Sequence, residues 1–327
     1  MTHRAQSIVH CALALLAIGI AAPAAAQTYP TKSVRFIVAY APGGGTDVTA
    51  RPIAAKLSER WGQSVFVDNR AGGNGMIGAD MVAKSAPDGY TVLVSASSEM
   101  SMNVALFSKM PYDPVKNFTP ITLVSVSPPL LLVHPSLPVK NVLELVALAK
   151  RKPGALSYGS SGGGATPQLM MEMLKQKAGI DVVMITYKGT GGGQIVDQIA
   201  GRVEVAFNLS VGVIPFVKEG KLRALAISTA RRLLTLAEVP TVGESGLKGV
   251  EGSSWQGIAM PAGVPHDIVR RVSEELVRGL KTPEMREKIL VMGGIAVGNT
   301  PEEFAAFFHA ESDKWYRVAN AANVKLD

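Results

Sequence analysis

Short apolar runs alternate with helix-spaced segments along the first half of this 327-residue chain. A buried-type strand is expected over 34–40, and apolar residues at helical spacing (Ile53, Leu57, Trp61) predict a helix over 49–61. Strands follow over 64–67 and 91–95, with a helix over 76–84 between them. Such alternation demands a sheet with parallel strands and helices on its faces, because parallel neighbours need a crossover connection. Pro52 is the flaw in the first helix. Its ring is tolerated only near a helix start, so the first turn is expected to be irregular or to begin later than Asp47.

A proline-rich connection over 110–120 leads to a second block with the same grammar. Strands are expected around Thr122 and Leu130 and over 156–159, 182–186, 203–208 and 224–228. Helices are expected over 142–150, 194–200 and 213–219, and over 167–178 with Thr166 as N-cap and Pro167 at the first helical position. The C-terminal part reads as a short strand over 257–260 and helices over 266–280 and 283–292. A final helix to about Ala321 is opened by a capping box of Thr300 and Glu303. Two α/β blocks and a helical tail point to two lobes with a cleft between them. The glycine loops fall beyond the carboxyl ends of strands, where open α/β sheets take their ligands.

The N-terminus sets the compartment. Arg4 precedes the apolar run CALALLAIGIAA, and Ala24 and Ala26 fit the A-x-A pattern of a secretory cleavage site. Residues 1–26 are therefore expected to be a signal peptide cleaved after Ala26. Cys11, the one cysteine, goes with them, so the exported chain relies on its core rather than on disulfides. The expected location is the bacterial periplasm. The formal charge of +7 comes from scattered Lys and Arg without an aromatic-flanked basic cluster, which argues against nucleic acid and for a surface that favours anionic solutes.

Three consecutive glycines in YAPGGGTDVTAR let something approach the backbone closely. The loop is not a phosphate loop, since no Lys-Ser or Lys-Thr follows. In the dinucleotide fingerprint Gly43 and Gly45 fit, but Val48 occupies the third place. The string at Gly159–Gly163 reads G-x-S-x-G, which would make Ser161 a nucleophile with His266 or His309 as base, but Gly-Ala-Thr-Pro delays the helix that should begin at once. The histidines lack ligand spacing, so neither metal nor cofactor is expected. What remains is anion capture by backbone N–H groups at Gly43, Gly44, Gly45, Thr46 and Asp47. Ser160, Ser161 and Thr166 add hydroxyl donors at an equivalent loop in the second block. Neither loop holds Lys, Arg or His, so reversible binding is favoured over proton transfer. Met100 and Met102 are either core or an adaptable wall for an aromatic ligand body.

The stretch YPTKSVRFIVAYAPGGGTDVTAR resembles the N-terminal signature of the tripartite tricarboxylate transporter substrate-binding proteins, the Bug family. The resemblance continues in order through VDNRAGGNGMIGADMVAKSAPDGYT, LPVKNVLELVALAKRKPGALSYGSSGGG, YKGTGGGQIVDQIAGRVEVAF, LRALAIST, EVPTVGESG and MPAGVP. It implies a two-lobed periplasmic binding protein of type II, each lobe a mostly parallel sheet flanked by helices. Residues 27–126 and 228–327 would form one lobe and 127–227 the other. It implies a monomeric, non-enzymatic receptor that holds a small carboxylate and delivers it to large and small membrane subunits; a sensor for the same ligand class would share these features. The first loop (Gly43 to Asp47) and the second (Ser160, Ser161, Gly162, Gly163, Thr166) would hold the ligand. By position Ser97, Tyr187, Lys188, Gly189 and Asn208 would also line the cleft. Where the family commonly has Asn and His in the second loop, this chain has Gly163, Gly164, Ala165, Thr166 and Pro167.

Overall fold

The computed structural model describes residues 29–160, 163–187 and 192–326. The expected signal peptide lies outside them. By contacts the chain divides into Met1–Thr31 and Lys32–Asp327, and the fold belongs to the second unit.

Two mixed sheets carry that fold, where mostly parallel ones are expected from the sequence. The first contains β1 (Val34–Val38), β2 (Val65–Asn69), β3 (Thr91–Ala96), β4 (Phe118–Ser127), β10 (Ser254–Pro261) and β11 (Ile295–Ala296), in the order β11-β4-β10-β3-β1-β2. The second contains β5 (Pro129–Val133), β6 (Ser157–Ser160), β7 (Val183–Thr186), β8 (Val205–Leu209) and β9 (Arg223–Ile227), in the order β7-β6-β8-β5-β9. The βαβ units pair in parallel, β1 with β2 and β3 and β6 with β7 and β8. β10 returns from the other sheet and inserts antiparallel between β3 and β4, and β5 lies antiparallel between β8 and β9. The mixing comes from these crossing strands, which enter each sheet without a crossover helix.

Ten helices cover the sheets among the described residues: α1 (Gly45–Trp61), α2 (Met76–Ala83), α3 (Asn103–Leu106), α4 (Val142–Arg151), α5 (Thr166–Ala178), α6 (Gly192–Ile199), α7 (Ser210–Lys218), α8 (His266–Leu280), α9 (Pro283–Val291) and α10 (Pro301–Ala321). A π-helical turn, Ser98–Met102, precedes α3; nothing in the sequence pattern announced either.

Two expected helix starts are corrected. α1 begins at Gly45, ahead of Asp47, and runs through Pro52. The position four residues earlier, where a carbonyl loses its partner, is Val48, which is exposed. Thr166 is not an N-cap: the cap position is Ala165, and the Thr166 hydroxyl turns instead toward the Met102 sulfur at 3.6 Å. The Thr300–Glu303 capping box forms as expected.

α10 ties the two cores together. Phe304 and Phe308, one turn apart, pack with Ile37, Leu93 and Trp255 under the first sheet. Trp315 and Ala319, further along the same stripe, pack with Met170, Leu174 and Phe207 under the second. Each large side chain so buried contributes roughly 2 kcal/mol. The buried Glu311 accepts the Trp315 indole N–H at 2.9 Å, so the bridge leaves no orphan donor there.

Candidate functional site

β1 delivers the chain to Tyr40, and Ala41–Gly44 turns it into α1. Gly43 sits at φ +80, a left-handed conformation that costs glycine nothing. Two of the expected donors are already in use. The Gly43 N–H donates to Asp47 Oδ2 at 2.9 Å, and the Gly44 N–H donates to the Ala41 carbonyl at 3.2 Å. Gly45, Thr46 and Asp47 open the helix, where N–H groups have no intrahelical carbonyl to bond. These three N–H groups, with the positive end of the helix behind them, make a nest of the kind that suits an anion.

Asp47 is buried, at 2% exposure, and its carboxylate serves the loop. Besides Gly43 it accepts from Arg51 Nε and Nη2, each at 2.9 Å, and from Asn69 Nδ2 at 3.0 Å. Burial alone would raise its pKa; the bonds from Arg51, Gly43 and Asn69 outweigh this and hold it below the ordinary aspartate value.

A cavity of about 280 Å³ opens beside this nest. Gly43, Gly45, Val48 and Thr49 form one wall. The ends of β4 and β10 supply Ser125, Ser127, Ser254 and Gln256. Leu209 from the second sheet, with Ile289, Met292 and Gly294, closes the remaining side. The four polar residues at the strand ends were missed in the sequence. Their signal was a period of two, S-V-S in β4 and S-W-Q in β10, which sends alternate residues to the α1 side of the sheet.

The second-block loop packs against the first sheet's helical segment. Gly163 and Gly164 both have positive φ, and a Cβ on Gly164 would meet Leu106 Cδ1 at 2.2 Å. The Gly164 N–H donates to Gln168 Oε1 at 3.0 Å, and Asn74 Nδ2 reaches the Gly163 carbonyl at 3.4 Å. Ser160 is buried at the end of β6. Tyr187 donates its hydroxyl to Asp197 at 2.7 Å; burial and that carboxylate push its pKa up to about 12. Both ends of the Asn208 amide are engaged, its oxygen by Gln194 and its nitrogen by Gln198. Ser97 approaches Ser254, hydroxyl to hydroxyl, at 3.4 Å. Of the expected residues, Gly43 and Gly45 line the 280 Å³ cavity, whereas Gly44, Thr46, Asp47, Ser97, Ser160, Gly163, Thr166, Tyr187 and Asn208 are not in its lining. Ser161, Gly162, Lys188 and Gly189 lie outside the described residues.

A profile described as the tripartite tricarboxylate transporter family receptor, TctC, matches residues 49–324. The chain belongs to the TctC receptor family. These are periplasmic solute-binding receptors of tripartite transporters, which accords with the expected fold and class. The chain is 34% identical to protein BugT of Bordetella pertussis over 94% of each chain. Among solved structures it is similar to R. palustris Rpa4515 with adipate, at 35% identity and TM-score 0.80, covering 91% of this chain and 100% of that one. It is also similar to MatC (Rpa3494) from Rhodopseudomonas palustris with bound malate, at 29% identity and TM-score 0.75, covering 89% of this chain and 99% of that one. No helix among the described residues is long and apolar enough to cross a membrane.

One earlier expectation for this TctC receptor concerned its methionines. Met100 and Met102 are fully buried, Met100 under the first sheet and Met102 under the second, so neither is a wall of the cavity. Between them and β3 lies Glu99, also fully buried. Burial pushes its pKa up to about 7, although the Tyr40 hydroxyl, at 2.6 Å, and the Ala96 N–H favour its ionised form.

Proposed function

We propose that this receptor holds a small carboxylate-bearing solute at the Gly45–Thr46–Asp47 N–H groups and passes it to the large and small membrane subunits of a tripartite transporter. One observation carries the reading: the helix start at Gly45, the first of three helix-start N–H groups without an intrahelical partner, lines a cavity whose walls carry hydroxyl and amide groups and no acidic or basic side chain. Such a site attracts an anion and releases it again, because no titratable group is there to react with it. The adipate and malate named for two relatives support the ligand class. The solute is bound between lobes divided near 126/127 and 227/228, by a monomer without enzymatic activity. Gly44 and the residues of the second loop, with Ser97, Tyr187, Lys188, Gly189 and Asn208, remain part of the proposed cleft. Export follows cleavage after Ala26, which mass spectrometry of the periplasmic protein tests directly.

The deciding experiment is a thermal-shift screen of the chain from Gln27 against dicarboxylates, tricarboxylates, amino acids and aromatic acids. A ligand at about 100 times its Kd adds roughly 2.7 kcal/mol. For a chain of this size that raises Tm by about 5–10 °C. A panel that leaves Tm unmoved, even after denaturation and refolding to strip bound solute, rejects the reading. A sensor for the same ligand is separated from a transport receptor by whether deletion abolishes uptake. The hydrolase reading has weaker support: His266 and His309 do not line the cavity, and the His309 ring packs against Phe308. Ser161→Ala should leave ligand binding within a few-fold and remove no turnover.

A further inference from the structure

The cavity beside the nest has two unlike walls. Ser125, Ser127, Ser254 and Gln256 present neutral donors and acceptors from the strand ends, while Leu209, Ile289 and Met292 face them with aliphatic surface. Gln256 joins this chamber to the nest. Its amide nitrogen lies 3.7 Å from where a Cβ on Gly45 would sit, and its amide oxygen lies 3.5 Å from the Ser125 hydroxyl. The nitrogen end is thus turned toward the start of α1, and the oxygen end toward Ser125.

We infer that this chamber receives the uncharged, hydroxyl-bearing body of a monocarboxylate, and that Gln256 and Ser127 set that preference. The inference rests on the carboxylate-receptor reading and narrows it. A carboxylate at the Gly45 start of α1 meets the helix-start N–H side, the helix dipole and the Gln256 amide. A second carboxylate in the chamber would lose water and find no cation, because no Lys, Arg or His lines it. Burying a charge under those conditions costs far more than burying a hydroxyl that exchanges water for serine partners. A purely aliphatic tail fails for the opposite reason, since it strips water from the serine wall and returns nothing. The aliphatic wall suits the carbon skeleton between the two polar ends.

The test is calorimetric titration of the wild-type protein, stripped of bound solute, with 6-hydroxyhexanoate, adipate and hexanoate at pH 7.4. These three acids share one chain length and differ only at the far end. The expected order places 6-hydroxyhexanoate at least about tenfold tighter than either of the others. Ser127→Lys puts a cation into the chamber and should reverse the preference, so that adipate binds tighter than the hydroxy acid. Gln256→Glu sets a negative charge beside the nest and should abolish binding of all three, with unchanged Tm as the check that it folds. Adipate binding as tightly as 6-hydroxyhexanoate to the wild type overturns the inference. So does binding of none of the three, while a positive result in the wider carboxylate screen would still uphold the receptor reading.

Discussion

Asp47 and Arg51, one turn apart on α1, form a bidentate pair, with both nitrogen–oxygen distances at 2.9 Å. Asp47 Oδ2 also holds the Gly43 N–H, and Oδ1 also holds Asn69, whose amide reaches the Tyr40 carbonyl. One carboxylate thereby fixes the strand end, the glycine turn and the helix start, and the three free N–H groups inherit their direction from it.

Asp47→Asn should therefore weaken both fold and binding. The amide has one acceptor oxygen where the loop uses two, and it cannot pair with the guanidinium. The expected loss is about 2 kcal/mol of stability, from charge-assisted bonds left unmade. Because the Asp47 pKa is depressed in the folded protein, its contribution is present above the unfolded aspartate value and is lost as pH falls through the folded one. Urea denaturation at pH 7 should show the full difference between wild type and variant, and at pH 3 much of it should vanish. A difference that persists unchanged at pH 3 would refute the ionised role.

Glu99 predicts the opposite slope at higher pH. Its folded pKa of about 7 stands above the ordinary value of 4.5, with burial as the main cause. A carboxyl raised in this way favours the folded state fully below its unfolded pKa, and that contribution fades as pH rises through the folded value. Stability should fall by on the order of 3 kcal/mol between about pH 4.5 and pH 7.5 from this group alone. Glu99→Gln keeps an acceptor for the Ala96 N–H and removes the titration. Its denaturation midpoint should stay flat over that range and exceed the wild type's at pH 8. A wild-type profile already flat there would rule the mechanism out.

Two neighbouring glycines separate backbone strain from steric clash. Gly163 has φ +64 with open space where a Cβ would go, whereas Gly164 has φ +67 and the buried Leu106 at 2.2 Å. Gly163→Ala should cost about 1–2 kcal/mol, the left-handed penalty for an L side chain. Gly164→Ala carries the same penalty plus overpacking, for a total of about 3 kcal/mol or more. Chemical denaturation of the two variants measures this directly, and equal losses would show that Leu106 yields freely.

The strand end and glycine turn that build the nest are local in sequence, as is the capping box at Thr300, so both are legible in the residues themselves. What remained hidden depends on contacts between distant segments. Which nest N–H groups stay free is decided by the Asp47 side chain and the Ala41 carbonyl folding back on the turn. Ser254 and Gln256 reach the site only because β10 leaves the C-terminal half and inserts beside β3. Periodicity cannot announce that insertion, because a short strand carries no mark of its partner. The two methionines that suggested a ligand wall lie in a π-helical turn that buries both, and apolar spacing alone does not separate core from pocket.

Asn74 links the turn after β2 to the loop after β6 in the second sheet, and its geometry predicts an effect on ligand release. It adopts φ 53, held there by paired amides: its Nδ2 donates to Asn103 Oδ1 at 2.8 Å, and Asn103 Nδ2 donates to its carbonyl at 3.1 Å. From that position Nδ2 also reaches the Gly163 carbonyl in the second-sheet loop at 3.4 Å. A ligand that stabilises a closed form benefits from every contact made only on closure. Asn74→Gly keeps the left-handed backbone available and deletes the bond to the Gly163 carbonyl. Loss of about 1 kcal/mol from the closed state should speed dissociation roughly fivefold, as read by stopped-flow displacement of a carboxylate identified in the thermal screen. The association rate should stay within twofold, since closure follows encounter. If dissociation is unchanged while Asn103→Ala accelerates it, the paired amides shape the loop and the bond to Gly163 has no part in holding the cleft shut.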